Sequence, residues 1–460
     1  MKKENTKKQN GYLRSVGCVS LGCAKNKVDL QVMLAHLVNA GYKIVSLDEK
    51  PDILIINTCA FIQAARDEAA EEIARAAKMR KAKKCKAVII SGCMPQRYRE
   101  EFLPDVADAF IGIDELDKIV DLVKRLEDKL VKAMADKRCK RIPFEEREML
   151  VSANQPNKVF DSPISALRLT GQAYAYLKIA EGCAHRCAYC AIPAIRGNYR
   201  SRSVKSIVDE AKTLVKTGVR ELNIIAQDPL FYGLDFKDGT NIVTLLKALD
   251  KIKGDFWIRV LYSYPNEITQ EFIDWMNTSK HAVKYMDVPL QHTDQDVLRA
   301  MNRSAAIKAS ADIADKLRKK IPGVTLRTTV MTGFPGETAE KFNSMLKEIK
   351  RMQFDYLGVF AFSPEEGTPA EKMKQIPEKI RVARAEKVSI AQNKIWDKKV
   401  ESYFDREFRA LVVAPGIARL PSQAPDVDGV VYVNMDLPVG EFADITIQGA
   451  DGYDFIAYDA

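Results

Sequence analysis

The chain has 460 residues, 47% hydrophobic and 29% charged, with a net charge of +9. This is an ordinary globular composition, enough for two or three domains with sizeable cores. No run approaches the ~20 apolar residues of a membrane span. The odd count of nine cysteines argues against a disulfide framework.

The basic N-terminal MKKENTKKQNG has no apolar segment after it, so it is expected to be a disordered tail and not a secretory signal. A cytoplasmic location follows. Strands are predicted at 15–22, 52–59 and 87–93, alternating with helices at 26–42, 61–80 and 117–130. That order implies a parallel sheet with helical crossovers. Residues 131–168 are polar and weakly periodic and read as a linker. A second alternating series has strands at 173–180, 221–227, 256–262, 284–290, 325–331 and 355–362, with helices such as 208–218 and 308–320 between them. Six such units suggest a partial parallel (β/α)6 barrel, where a closed one would need eight. The last segment holds short strands at 407–414, 429–435, 441–449 and 454–460, the pattern of a small all-β, OB-like barrel. The fold class is therefore α/β with a small β-barrel at the end. The expected domains are 12–130, a linker at 131–168, a core at 169–398 and a barrel at 399–460.

Charge is unevenly spread. From residue 401 onward there are three Arg and no Lys against eleven Asp and Glu, a charge of −8, so the first 400 residues carry +17. The basic part suits nucleic acid or a ribosome, or is simply a solvated lysine-rich surface. The acidic end opposes nucleic-acid binding and suits a basic protein partner.

Six cysteines form two sets. Cys183, Cys187 and Cys190 make a compact run in EGCAHRCAYCAIP, directly after a predicted strand. Cys23, Cys59 and Cys93 lie 36 and 34 residues apart, each closing an apolar strand-like run. Three thiolates on one short loop can hold an iron–sulfur cluster and leave one iron open. Zinc is the rival, with His185 inside the loop as a possible fourth ligand, but no second paired knuckle exists. A single cysteine at a strand end is more often a small buried apolar residue; three at equivalent ends point to ligation. In open parallel sheets ligands gather beyond the carboxyl ends of the strands, where all six cysteines are expected, so both sets are expected to meet between the two sheets. Tyr189 beside Cys190 is placed to stack on a nucleoside or simply to pack. Cys18, Cys85 and Cys139 fit neither set.

The C-x-x-x-C-x-Tyr-C run after the first strand of a six-unit α/β domain resembles the radical S-adenosylmethionine superfamily. The stretch Gly333, Phe334, Pro335, Gly336, Glu337, Thr338 resembles a segment lining that family's nucleoside site, and it reads equally as a strand-to-helix turn. Together SLGCAKNKVD, NTCAF and SGCMPQ resemble the methylthiotransferase branch. The resemblance implies two four-iron (4Fe-4S) clusters. One, on Cys183, Cys187 and Cys190, binds S-adenosylmethionine. The auxiliary one, on Cys23, Cys59 and Cys93, carries the sulfide or persulfide to be transferred. It further implies Gly333, Gly336 and Glu337 as cofactor-binding residues and a terminal barrel of the TRAM type; Tyr189, beside Cys190, and Gln227, by its position at a strand end, are counted with them. Asp228, Asp287, Gln291 and His292 are further candidates by position.

Among the methylthiotransferases, LGCAKNKVD, the His185–Arg186 pair, YMDVPLQHTDQDVLRAMNR and APDVDGVVYVN resemble the RimO-type branch. That branch modifies an aspartate of small-ribosomal-subunit protein twelve at its β-carbon and takes electrons from a flavodoxin- or ferredoxin-type donor. Nucleic acid is then not expected as the direct substrate. The alternatives are the same chemistry on a modified adenosine of transfer RNA, an iron–sulfur sensor or electron carrier without catalysis, and a zinc-holding ribosome-binding protein. QDPLFYG departs from the family's usual loop, and Arg196, Arg200 and Arg202 form a basic stretch that suits a carboxylate or phosphate.

Overall fold

The computed structural model describes residues 13–98, 107–135, 142, 147–151, 155–160, 168–171, 173–310, 312–433 and 436–458. The N-terminal tail, most of the polar stretch at 136–146 and Cys139 lie outside the described residues. The chain divides into two compact units, one of residues 1–156 with 194–196 and one of residues 157–193 with 197–460.

The first unit is a six-stranded parallel sheet. Its strands are β1 (Ser15–Ser20), β2 (Lys43–Ile44), β3 (Ile53–Thr58), β4 (Ala87–Gly92), β5 (Ala109–Ile111) and β6 (Glu148–Leu150). Their spatial order is β2-β1-β3-β4-β5-β6. Every residue of β3 and β4 is buried, which is why both read as unbroken apolar runs rather than alternating ones. Helices Ala24–Asn39, Gln63–Lys81 and Ile119–Ala135 make the crossovers. The order reverses between β1 and β3, creating a topological switch point, where such sheets take ligands. Two strands were not expected. β5 is only three residues long, and β6 arises inside the stretch read as a linker, pairing Glu148–Leu150 with Ala109–Ile111.

In the second unit, six core strands form two three-stranded parallel sheets. One is β7 (Tyr174–Lys178), β10 (Glu221–Ile225) and β11 (Trp257–Val260). The other is β12 (Tyr285–Asp287), β13 (Thr325–Thr332) and β14 (Tyr356–Ala361). A single bridge, Ile258 to Ala282, joins the halves, so the barrel is partial. The short pair β8 (Ala180–Glu181) and β9 (Arg200–Ser201) brackets the cysteine loop. Leu177, Leu222, Ile224, Ile258 and Met286 belong to the apolar core shared with the helices. Tyr176, Asn223, Arg259, Tyr285 and Arg327 alternate with them, so the strands' other face is polar.

One helix differs from expectation. The stretch read as one helix at 308–320 is broken into Ala306–Ser310 and Ile313–Lys320, with Asp312 left-handed at φ 53° between them. The 23-residue helix Glu378–Val400 is largely polar in its first three turns. It buries Val388, Ala391, Gln392, Ile395 and Trp396, spaced along one face from its middle towards its C-terminal end.

The end of the chain is a closed five-stranded barrel. Its strands are β15 (Arg406–Ala414), β16 (Ile417–Arg419), β17 (Val431–Val433), β18 (Phe442–Asp451) and β19 (Asp454–Tyr458), ordered β15-β16-β17-β19-β18. Strand β16 was not anticipated; a tight turn at Ala414–Ile417 returns it onto β15. Buried ion pairs seat this barrel on the core. Glu221 pairs with Arg259 at 2.7 Å and also with Arg419. Asp428 takes Arg327 Nε at 3.1 Å and the Tyr285 hydroxyl.

Candidate functional site

In the first unit the three cysteines follow three neighbouring strands. Cys23 follows β1 and caps the helix Ala24–Asn39 with extended backbone. Cys59 follows β3, and Cys93 opens the short helix Cys93–Arg97 after β4. They therefore stand side by side at the carboxyl edge, astride the switch point between β1 and β3. Gly22 before Cys23 has φ 80°, and a Cβ there would stand 2.7 Å from Cys59 Cβ and 3.1 Å from its sulfur.

A buried polar network braces this edge. Asn26 Nδ2 donates to the carbonyls of Thr58 at 2.8 Å and Leu21 at 3.3 Å. Its Oδ1 accepts from Cys93 Sγ at 3.4 Å and from Arg196 Nη2 at 2.6 Å. Arg196, 1% exposed, also pairs with Asp29 at 2.8 Å and lies 3.5 Å from Cys93 Sγ. The thiols respond differently. Burial pushes Cys93 up to about 12, against Arg196 and with Cys59 and Cys23 adding to the rise. Burial also raises Cys59. Desolvation opposes the Cys23 thiolate too, but Lys25, Arg196 and the N–H groups of Asn26 and Lys25 together outweigh it and hold the thiol below its ordinary value.

In the second unit, Cys183, Cys187 and Cys190 sit on the loop after β8, at the carboxyl edge of the partial barrel. Gly182 has φ 72°, and a Cβ there would fall 2.0 Å from the Asn198 carbonyl oxygen. Arg186 ties the loop to itself, donating to the Cys183 carbonyl at 2.9 Å and to Asn198 Oδ1 at 2.5 Å. Burial raises Cys183 to about 11 and also raises Cys190. Arg303, 4% exposed, places Nη1 at 3.6 Å from Cys187 Sγ and 3.5 Å from the Tyr189 hydroxyl. His185 is not turned to the cysteines. Its Nε2 meets Asp228 Oδ2 at 2.7 Å and its ring stacks on Tyr264 at 3.8 Å.

Among the described residues, no three His, Cys, Asp or Glu side chains converge closely enough to hold one metal ion. A single-ion zinc site is thus not built at either trio. A four-iron cluster is wider than one ion, and its corner ligands stand apart. Three thiols on one sheet edge or one loop are the donor set such a cluster takes, one short of four.

The other expected residues divide. Gln227 follows β10 with both side-chain polar atoms buried and unpartnered, as are Ser263 Oγ and Arg303 Nε. The orphaned atoms of Gln227 and Ser263, each just past a strand end, fit a polar ligand like the methionyl part of S-adenosylmethionine. Tyr262 and Gln291, at the ends of β11 and β12, hold left-handed backbone at φ 68° and 67°, the kind of strain found at ligand sites. Tyr189 packs edge-on to Phe334 within an apolar cluster. Gly336 has open space where a Cβ would stand, whereas Gly333 is glycine because a Cβ would overlap Arg381. Glu337 is consumed by the fold. It accepts from Gly333 N at 2.9 Å, His292 Nε2 at 3.2 Å and Arg384 Nη1 at 2.5 Å. His292 is likewise satisfied, its Nδ1 accepting from Asp294 N at 2.9 Å. Asp287 is held by Arg327 at 3.4 Å and Tyr262 N at 3.2 Å. The basic stretch is no open anion clamp. Arg196 is bound as above, Arg200 donates to the carbonyl of Lys158, and Arg202 pairs with Glu210 at 2.7 Å. Sequence reasoning passed over Asn26, Tyr264 and Arg303. Asn26 was marked only by its place three residues after Cys23, and nothing in the spacing marks Arg303.

Comparison with known proteins agrees with this layout. Residues 177–349 match the Radical SAM superfamily, 15–112 match Uncharacterized protein family UPF0004, and 398–458 match the TRAM domain. The chain is similar to a protein of Opitutus terrae named ribosomal protein uS12 methylthiotransferase RimO, at 39% identity over 96% of each chain. A protein of the same name from Syntrophus aciditrophicus is 40% identical over 96% of this chain and 98% of its own. One from Geobacter sulfurreducens is 37% identical over 96% and 97%. Among solved structures, the radical S-adenosylmethionine methyltransferase TsrM of Kitasatospora setae superposes with TM-score 0.52 at 15% identity, covering 77% of this chain and 75% of its own. The cobalamin-dependent S-adenosylmethionine radical enzyme OxsB gives TM-score 0.52 at 12% identity over 85% and 61%. These two show a shared fold.

Proposed function

Because this chain belongs to the RimO family of ribosomal protein uS12 methylthiotransferases, we infer that it is a radical S-adenosylmethionine enzyme that inserts a methylthio group at the β-carbon of an aspartate of uS12. The observation that carries the reading is the pair of cysteine trios, each at a carboxyl strand edge and each leaving a four-iron cluster one ligand short. Cys183, Cys187 and Cys190 hold the radical-generating cluster, and Cys23, Cys59 and Cys93 the auxiliary one. When bound, the clusters and S-adenosylmethionine supply the hydrogen-abstracting radical, the sulfur and the methyl group.

The chain's own side chains bind and orient. Gln227 offers an amide donor and acceptor to the cofactor. Gly336 leaves room for a ligand beside the loop after β13, and Tyr189 supplies a wall. Glu337 and Gly333 act through the fold, keeping that loop closed on itself. The acidic barrel supports a basic protein substrate. Glu407, Asp436, Asp444 and Asp451 are exposed on it, whereas Arg419 is buried and paired to Glu221. The domain limits 12–130, 131–168, 169–398 and 399–460, a cytoplasmic location and a flavodoxin- or ferredoxin-type electron donor belong to the same proposal. Among the described residues, no helix is long and apolar enough to cross a membrane.

The test is anaerobic incubation of cluster-loaded protein with S-adenosylmethionine, a one-electron reductant and uS12, read by mass spectrometry. A methylthio group on one uS12 aspartate is expected. The triple variant Cys23→Ala/Cys59→Ala/Cys93→Ala should still release 5′-deoxyadenosine but leave uS12 unmodified. Methylthio-adenosine in transfer RNA with unmodified uS12 would overturn the assignment. Release of no 5′-deoxyadenosine by the native protein would leave an iron–sulfur sensor or carrier.

A further inference from the structure

We propose that Arg303 is a positioning residue that sets the reduction potential of the radical-generating cluster through Cys187. This rests on the assignment of Cys183, Cys187 and Cys190 to that cluster. Three successive residues grip the cysteine loop from outside. Met301 O accepts from Ala188 N at 2.9 Å, Asn302 Nδ2 donates to Arg186 O at 2.6 Å, and Arg303 Nη1 reaches Cys187 Sγ at 3.6 Å. Asn302 has φ 55°, which carries the backbone round so that Arg303 turns back onto the loop.

The guanidinium is itself fixed. Its Nη2 donates to Pro289 O at 2.9 Å, and its carbon lies 4.1 Å from the centre of the Tyr264 ring. That ring also stacks on His185, two residues before Cys187, and Asp228 holds His185. The chain of contact runs Asp228, His185, Tyr264, Arg303, Cys187. From His185 to Cys187 it leaves and returns to the loop it braces, with Asp228, just past β10, anchoring its start. Lysine could supply the charge but neither the planar stack nor the fork of donors.

Among the described residues no carboxylate is paired with Arg303, so its positive charge is spent on the sulfur and the two tyrosines. A buried cation donating to a cluster's sulfur ligand stabilises the more negative, reduced state, because little water is present to screen it. The cluster takes one electron from an external one-electron donor and gains one negative charge; Arg303 lowers the cost of that charge. Removing it moves the midpoint to a more negative value.

The experiment is an anaerobic redox titration of the full-length, cluster-loaded protein followed by electron paramagnetic resonance. S-adenosylmethionine identifies the radical cluster, since only that centre's signal should respond to it. Arg303→Met is expected to keep the iron content and the auxiliary signal. The ratio of reduced to oxidised radical cluster at a fixed potential should fall about tenfold, a midpoint shift of about 59 mV for one electron. Arg303→Lys should recover most of that loss. If Arg303→Met sheds the iron, Arg303→Gln, which keeps an N–H donor without the charge, reads the same shift. An unchanged midpoint in a neutral variant that retains its iron overturns the proposal. So does an equal shift in both centres, or loss of the radical cluster from both neutral variants. A native protein in which neither signal responds to S-adenosylmethionine would overturn the functional assignment itself, and the role of Arg303 with it.

Discussion

Two glycines one position before a cysteine decide whether each trio can form. Gly22 and Gly182 both hold positive φ, and at both a side chain would overlap a neighbour, the Cys59 side chain in one case and the Asn198 carbonyl in the other. Alanine there costs on the order of 1–3 kcal/mol of local strain, and the loop must shift to relieve it. Gly182→Ala should therefore lose the radical cluster and keep the auxiliary one, and Gly22→Ala the reverse. Each variant should retain about half of the native iron, one cluster of two. Iron and sulfide analysis after anaerobic reconstitution checks this, with 5′-deoxyadenosine release surviving only in Gly22→Ala. Full iron in either variant would show that the glycine is not required. The dipeptide Gly-Cys recurs in SLGC, SGC and EGC. The conformational reason for it is invisible until the backbone is seen to turn.

At the scale of elements, the loop after β13 shows how a functional-looking motif divides its labour. Thr338 caps the helix Ala339–Met352 by accepting from Lys341 N at 3.3 Å. Glu337 beside it binds Gly333 N, His292 and Arg384 in a buried cluster. Thr338→Ala should cost about 1 kcal/mol, the usual value of a cap. Glu337→Ala strands the part-buried Arg384 and the buried His292 and should cost about 3–5 kcal/mol. Urea unfolding of the two variants measures the difference, and equal losses would show that Glu337 is not the latch. The sequence pattern placed this turn and its cap correctly. The assignment of Glu337 to the cofactor came from the family resemblance, and motif position by itself does not tell a residue facing a ligand from one facing inward.

For the second unit as a whole, the joint between core and terminal barrel has a pH dependence of definite sign. Glu221 is fully buried, which opposes its charge, yet Arg419 and Arg259 hold its carboxyl below the ordinary glutamate value of 4.5. A depressed folded-state value means stability that is present above about pH 4.5 and lost as the pH falls through the folded value. Glu221→Gln should therefore be less stable near neutral pH, because two buried guanidinium groups lose their partner. It should also lose stability less steeply on acidification than the native chain. Urea midpoints measured from neutral pH down to about pH 4 decide it; parallel curves for the two proteins would remove Glu221 from this role. The same ion pairs explain the charge asymmetry in part. Arg419 and Asp428 are committed to the joint, so the acidic character of the barrel surface comes from its exposed carboxylates.

Much of this molecule is written along the chain. The four apolar residues that open each of Ile53–Thr58 and Ala87–Gly92 read as strands covered on both faces. A cysteine closing such a run must stand at a sheet edge, and close cysteine spacing must share a loop. These are local properties, set by neighbours within a few residues, and they carried the α/β class, the terminal barrel and the placing of six thiols. Other features depend on residues far apart in sequence. The order β2-β1-β3 that gathers Cys23, Cys59 and Cys93 at one switch point comes from crossover geometry, and β6 exists because β5 offers it an unpaired edge. Arg303 meets Cys187 across 116 residues. Burial then determines what such a charge can do, because a guanidinium is an ordinary surface group in water and a strong field next to a buried sulfur.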